Sequence, residues 1–318
     1  MAVYTHVSAE ELADLLARYD VGRLVSAKGI AEGVENSNYL VDTTSGRFIL
    51  TLYEKRVDPA DLPFFIALLD HLAASDLPVP RTIRDKAGQQ LQEVAGRPAC
   101  LIEFLPGVSL SHPTPAQAHA AGTALGLMHA ALADFTGGRP NALGVASWAP
   151  LLARCGRDLD RIDPGLHDTL AHALDEVLPR WDAGGATSVI HADLFPDNVL
   201  MLEDRVGGLI DFYFACTDLR LYDLAIMHGA WSFDAAGMHH DEAVGRALLD
   251  GYAQSFGLTS ADRAQLPTLA MGGCIRFALT RAWDWLNPPA DALVTRKDPL
   301  AYTRRLAFYR QAGAAPFA

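Results

Sequence analysis

Residues 191–198 read HADLFPDN, crowding two acids, an imidazole and an amide into eight positions. Apolar Ser188-Val189-Ile190 precedes them and Val199-Leu200-Met201-Leu202 follows. Such polarity is costly inside a core, so it belongs in a loop joining two strands, with its side chains gathered at one mouth. A short polar turn, Glu203-Asp204-Arg205, then leads into VGGLIDFYFA, which sets Asp211 at the end of a second apolar strand, opposite the loop. Asn198 and Asp211 offer hard oxygens from adjacent strands, a donor set that suits magnesium. That ion keeps several waters and takes one or two side chains plus substrate phosphates. Asp193 lies five residues before Asn198, so a compact loop can set it beside the ion without ligating it. There it can orient a hydroxyl and accept its proton as a γ-phosphoryl group transfers. Asp and Asn also form ordinary turns. The coincidence of His191, Asp193, Asn198 and Asp211 points to chemistry.

The rest of the chain changes character once. Ser8-x-x-Glu11 is a capping box, followed by Leu12, Leu15 and Leu16 at helical spacing. Tyr39-Leu40-Val41 and the run from Phe48 to Tyr53 flank the turn Thr43-Thr44-Ser45-Gly46, which predicts an antiparallel hairpin preceded by a glycine-bearing loop. A helix starting at Asp58-Pro59 or Asp61 should run to about Ala74, with further strands ending at Ala99 to Phe104. Pro and Gly punctuate residues 105–115, and beyond them helical patterns dominate. Thr114-Pro115 with Gln117 caps a helix to about Leu132, and Asp163-Pro164 opens another reaching roughly Trp181. Further helices are expected at about 220–231, 240–256, 260–286 and 299–311. The layout is α+β: a small strand-rich part, then a larger helical part with one β interruption at 188–212.

A formal net charge of −12 argues against a partner that presents a phosphate backbone, so no nucleic acid is expected. No apolar stretch reaches membrane-spanning length, and Met-Ala-Val-Tyr-Thr-His shows no export signal, so a cytoplasmic protein is expected. The four cysteines, Cys100, Cys155, Cys216 and Cys274, lie far apart and read as reduced core thiols. His228, His239 and His240 lack zinc-ligand spacing.

The pattern H-x-D-x-x-x-x-N, followed by a strand ending in Asp, resembles the catalytic loop and metal-binding Asp of protein-kinase-like phosphotransferases. Ala192 stands where protein kinases carry Arg, and HADLFPDN with LIDF is closer to the aminoglycoside phosphotransferase and choline kinase branch. Within that branch, GIAEGVENSNYLV, FILTLYE, DLPFFIALLDHL, DLPVP and LIDFYFAC with LYDLAI together resemble the homoserine kinases, from residue 1 to about 310. The resemblance implies a bilobal protein-kinase-like fold. A small antiparallel sheet lobe at 1–105 would bind nucleotide, and a larger, mainly helical lobe at 106–318 would carry the catalytic loop and acceptor pocket. It implies ATP and Mg2+ as cofactors, L-homoserine as the small-molecule substrate, Asp193 as catalytic base, and Asn198 with Asp211 as metal ligands. His191 and Asp223 would support the loop. Gly33, Asn36, Ser37 and Asn38 would face the phosphates, and the backbone at Glu103 and Leu105 would hold the adenine edge.

Thr51 falls where protein kinases place a strand lysine that grips the phosphates, and the helix at 61–74 offers no partner Glu. The FILT form matches the homoserine kinase resemblance. For the acceptor, Tyr213 could wall the pocket, while Arg276, Arg281 and Trp285 sit on CIRFALTRAWDWLN, where a guanidinium fork suits a carboxylate and an aromatic face suits an ammonium. Kinases for choline, ethanolamine, hydroxylysine or an aminoglycoside remain open alternatives. So does a catalytically silent nucleotide-binding protein, to which the absent lysine would point.

Overall fold

The first helix, α1 (Ala9–Leu16), begins on a complete capping box: Ser8 accepts from the Glu11 N–H, and Glu11 reaches back to the Ser8 N–H. Its Leu12, Leu15 and Leu16 are buried and join a core with Tyr39, Val41, Leu50, Leu52 and Leu101. The computed structural model describes residues 5–30, 36–54, 57–181, 184–288 and 296–318. These divide into two compact units, one up to Pro106 and one from Gly107 onwards.

The first unit also holds β1 (Leu24–Ile30), β2 (Asn36–Thr43), β3 (Gly46–Tyr53), α2 (Leu62–Ala74), β4 (Leu91–Val94) and β5 (Arg97–Glu103). Among the described residues the strands form one antiparallel sheet in the order β1-β2-β3-β5-β4. The expected hairpin is β2–β3, closing with Thr43 opposite Gly46. Of the glycine-bearing loop expected ahead of it, residues 29–30 end β1, residues 36–38 begin β2, and residues 31–35 lie outside the described residues. β1 pairs along β2, but as an edge strand with most side chains exposed it shows no apolar alternation to read. A 3-10 turn, Pro59–Asp61, leads into α2 after Asp58 caps it.

The second unit holds α3 (Pro115–Ala131), α4 (Val145–Cys155), α5 (Leu166–Val177), β6 (Thr187–Ile190), β7 (Val199–Leu202), β8 (Arg205–Leu209), β9 (Cys216–Leu219), α6 (Arg220–Trp231), α7 (Glu242–Ser255), α8 (Ser260–Leu286) and α9 (Leu300–Ala312). Thr114 and Gln117 cap α3 reciprocally, as the spacing predicts. α4 has no counterpart in the sequence reading, because Pro150 breaks its pattern; the helix nevertheless buries Trp148 and Leu152. β6 pairs with β9 and β7 with β8, so the β interruption is two small ribbons that together span 187–219.

Two glycines let α3 and α7 touch backbone to backbone. A Cβ at Gly122 would run into the Leu248 carbonyl, and one at Gly251 into the His119 carbonyl. The Thr123 hydroxyl spans the same seam to the Gly251 carbonyl at 3.3 Å. Every residue of α6 from Leu221 to Trp231 is buried, including Asp223 and His228. The four cysteines are buried and free. Among the described residues no helix is long and apolar enough to cross a membrane.

Gly122→Ala should lower unfolding free energy by about 1–3 kcal/mol, the usual cost of overpacking, measured by chemical denaturation. Burial, with His240 close by, holds the His228 imidazole down to about 3. The unfolded chain binds a proton near pH 6.5, and the folded chain refuses it down to the lower value. Stability from this group is therefore whole above about pH 6.5 and falls on acidification below it by at most about 1.4 kcal/mol per pH unit. His228→Phe should flatten the acid slope of stability between pH 6.5 and 4; an unchanged slope would exclude the group as its source.

Candidate active site

The loop between β6 and β7 is held by its backbone. Asp223, near the start of α6 and fully buried, accepts from the His191 N–H at 2.7 Å and the Ala192 N–H at 2.8 Å. His129 on α3 sets its Nε2 3.3 Å from the same carboxylate and its Nδ1 3.0 Å from the Tyr252 hydroxyl. Burial pushes the Asp223 carboxyl up, but the His129 contact, the nearby imidazoles and the loop amide outweigh it and hold the group below its ordinary range. It stays ionised and can accept from every side.

Ala192 occupies the left-handed region at φ 64, costly for a residue with a Cβ. Both its backbone groups meet buried charge: its N–H goes to Asp223, and its carbonyl accepts from the Arg276 guanidinium on α8. The Leu194 carbonyl accepts from the Trp231 indole at 3.0 Å. His191 is fully buried, and burial holds its imidazole below the ordinary value. Its neutral ring accepts from the Asp193 N–H at Nδ1 (3.3 Å), so Nε2 carries the hydrogen and donates to the Ile210 carbonyl (3.0 Å).

That last bond ties the loop to the segment after β8. The Ile210 N–H also donates to the Asn198 carbonyl at 3.0 Å, which brings Asp211 beside Asn198. Asp211 is itself left-handed, at φ 67. The Asn198 amide nitrogen donates to the Asp193 carbonyl at 2.8 Å and approaches its carboxylate at 3.4 Å. The amide oxygen is thereby left for another partner. An amide oxygen plus the Asp211 carboxylate is a hard-oxygen pair that fits a divalent ion completed by water and phosphates. Among the described residues no cluster of three or more His, Cys, Asp or Glu side chains could hold a metal; the pair asks for fewer ligands than that. Burial raises the Asp193 carboxyl above its ordinary range, against the opposing charges of Arg276 and Lys297.

The other expected site residues divide. In the first unit Ser37 is fully buried, donates to Glu54 at 2.7 Å and accepts from the Thr5 N–H; the Asn36 oxygen accepts from the Glu54 N–H. Asn38 takes the Thr51 hydroxyl at 2.7 Å, so the position of the absent lysine is closed by a neutral cross-strand pair. Gly33 lies outside the described residues. Glu103 ends β5 with its N–H on the Arg81 carbonyl, and Leu105 follows half-buried. In the second unit Tyr213 is half-buried in the turn after Asp211, and Trp285 lies with the Arg296 guanidinium 5.6 Å from its ring. Arg276 is 2 % exposed and spent on the loop. Its role and that of His129 escaped the sequence reading. The available signal was a lone charge inside the apolar run MGGCIRFAL, which a buried partner must satisfy.

Comparison with known proteins decides the family. A profile described as the phosphotransferase enzyme family matches residues 26–264. The chain belongs to that family. Within it, homoserine kinase from Acidiphilium cryptum is 52% identical over 315 residues, covering 99% of this chain and 98% of the relative. Homoserine kinase from Nitrobacter winogradskyi is 53% identical over 313 residues, covering 98% and 96%. Among solved structures, spectinomycin phosphotransferase matches with TM-score 0.73 at 13% identity, covering 98% of this chain and 100% of the other. Choline kinase from Cryptosporidium parvum matches with TM-score 0.66 at 13% identity, covering 96% and 95%. The fold is therefore the α+β, protein-kinase-like fold of these phosphotransferases.

Asp223→Ala would orphan two buried loop N–H groups. It should cost about 2–5 kcal/mol of stability in chemical denaturation and lower turnover in the fraction that folds. Equal stability with and without the carboxylate would remove it as the anchor of the loop.

Proposed function

We propose that the chain transfers the γ-phosphoryl group of ATP to the side-chain hydroxyl of L-homoserine, giving O-phospho-L-homoserine, a step toward threonine. Identity of about half the residues with homoserine kinases over nearly the whole chain supports the acceptor. The observation that carries the chemistry is the gathering of Asp193, Asn198 and Asp211 by the Asn198–Asp193 and Ile210–Asn198 hydrogen bonds.

In this reading Asp193 orients the acceptor hydroxyl and takes its proton. The hydroxyl oxygen bonds to the γ-phosphorus, the bond to the β,γ-bridging oxygen breaks, and ADP leaves. The raised carboxyl of Asp193 is a better proton acceptor than a solvated aspartate. Asn198 and Asp211 would hold Mg2+, which when bound supplies positive charge against the phosphate oxygens. His191 fixes the spacing between the two segments, and Asp223 fixes the loop. Residues 1–105 are assigned to the nucleotide: Gly33, Asn36, Ser37 and Asn38 toward the phosphates, and the backbone of Glu103 and Leu105 toward adenine. Residues 106–318 are assigned to catalysis and the acceptor. With Thr51 neutral, the ion and backbone amides must neutralise more of the triphosphate. The free, buried cysteines suit a reducing compartment, and we assign the activity to the cytoplasm.

Asp193→Asn should fold and bind ATP as the parent does, while kcat with homoserine falls by roughly 10²–10⁴-fold. A screen with labelled ATP over homoserine, choline, ethanolamine, hydroxylysine and an aminoglycoside should give homoserine the highest kcat/KM. A different winner would replace the acceptor, and unchanged turnover in Asp193→Asn would remove the base.

A further inference from the structure

Beside Asp193 the second unit holds positive charge in an unusual way. Phe195, two residues along the loop, packs edge-on against Phe277 at 5.0 Å, and Phe277 packs against Tyr302 at 4.9 Å. A cation faces each ring. The Arg276 guanidinium lies 4.5 Å from the Phe277 centroid, those of Arg281 and Arg305 lie 4.5 and 4.4 Å from Tyr302, and the Lys297 ammonium lies 5.8 Å from Phe195. Arg276 and Arg305 are 2 % and 4 % exposed.

Buried guanidiniums usually pair with carboxylates. Here, among the described residues, Arg276 donates to the Ala192 carbonyl, Arg281 to the Asp298 carbonyl at 3.2 Å, and Arg305 to the Asp234 carbonyl at 2.8 Å, all backbone oxygens. The Asp298 side chain is taken by Arg304 at 3.2 Å. The Nε atoms of Arg276 and Arg305 are buried without a partner. Arg281 and Arg305 share one ring and repel each other, and burial lowers the Arg281 guanidinium below its ordinary value. Aromatic faces hold these cations in place while leaving guanidinium N–H groups uncommitted. The nearest carboxylates, Asp193, Asp234 and Asp298, act on these cations without a direct ion pair to any of the three arginines among the described residues.

We propose that Arg281, backed by Arg305 across Tyr302 and by exposed Lys297, is a subsite for the α-carboxylate of the amino-acid acceptor. The inference rests on the acceptor being an amino alcohol that carries a carboxylate. It adds the group that separates homoserine from the carboxylate-free alcohols choline and ethanolamine. Arg276, enclosed and bonded to the loop, is left out of the subsite and acts as a positioning residue.

The test compares L-homoserine with 3-aminopropan-1-ol, which keeps the amine and the hydroxyl and lacks the carboxylate. In Arg281→Gln the KM for homoserine should rise roughly 10–100-fold, the loss expected of a charge-assisted contact. The KM for ATP should stay within about twofold, and kcat/KM for 3-aminopropan-1-ol should hardly change. Arg281→Lys should recover part of the loss. Lys297→Gln, at an exposed site that tolerates change, should raise the homoserine KM several-fold and decides the matter if Arg281→Gln does not fold. A rise in the ATP KM alone would assign the cations to the nucleotide phosphates and overturn the subsite. An equal loss with both acceptors would make Arg281 merely structural and overturn it too. Failure of the parent protein to phosphorylate homoserine would instead overturn the assigned reaction, a separate readout.

Discussion

The site depends on one buried carboxylate. Asp223 has no water to solvate it, so its ionised form persists only because two loop N–H groups and a histidine face it. Those contacts in turn hold Ala192 in a conformation that an alanine otherwise avoids. The strain turns the chain so that Asp193 and Asn198 meet, and α6, buried along its length, supplies the rigid support. Removing the helix would free the loop; removing the loop would leave a bare charge in the core.

Two opposite charges therefore grip one residue, Asp223 on the Ala192 N–H and Arg276 on its carbonyl. The same guanidinium lowers the cost of ionising Asp193, which burial raises. Stability and reactivity are coupled at this point. Asp193 can be both desolvated and ionisable only while a buried cation stands near it. The second left-handed residue, Asp211, plays a matching part after β8, where the Ile210 bonds to Asn198 and His191 fix its approach.

The cations around Phe195, Phe277 and Tyr302 give this part of the second unit a polarity of its own. The chain carries a net charge of −12, yet beside the loop it gathers Arg276, Arg281 and Arg305 without a direct ion pair among the described residues. Local charge of that sign suits a carboxylate, and rings hold it in place where acids would have neutralised it. In the sheet unit the lysine position is filled by the Thr51–Asn38 pair, so that position carries no charge.

Much of this was legible in the sequence because it is local. The Ser8–Glu11 and Thr114–Gln117 caps, the Thr43–Gly46 turn and the HADLFPDN spacing each act within a few residues, and the structure contains them as read. β1 was hidden because an edge strand need not alternate, and α4 because Pro150 masked its pattern. Sequence alone determined the residue types and their spacing, with Asp193 and Asn198 in one loop and Asp211 at the end of a later strand. Tertiary structure decided which backbone carbonyl each buried arginine meets and that none of the three makes a direct ion pair among the described residues. Burial and pairing are properties of residues distant in the chain, and no local spacing encodes them.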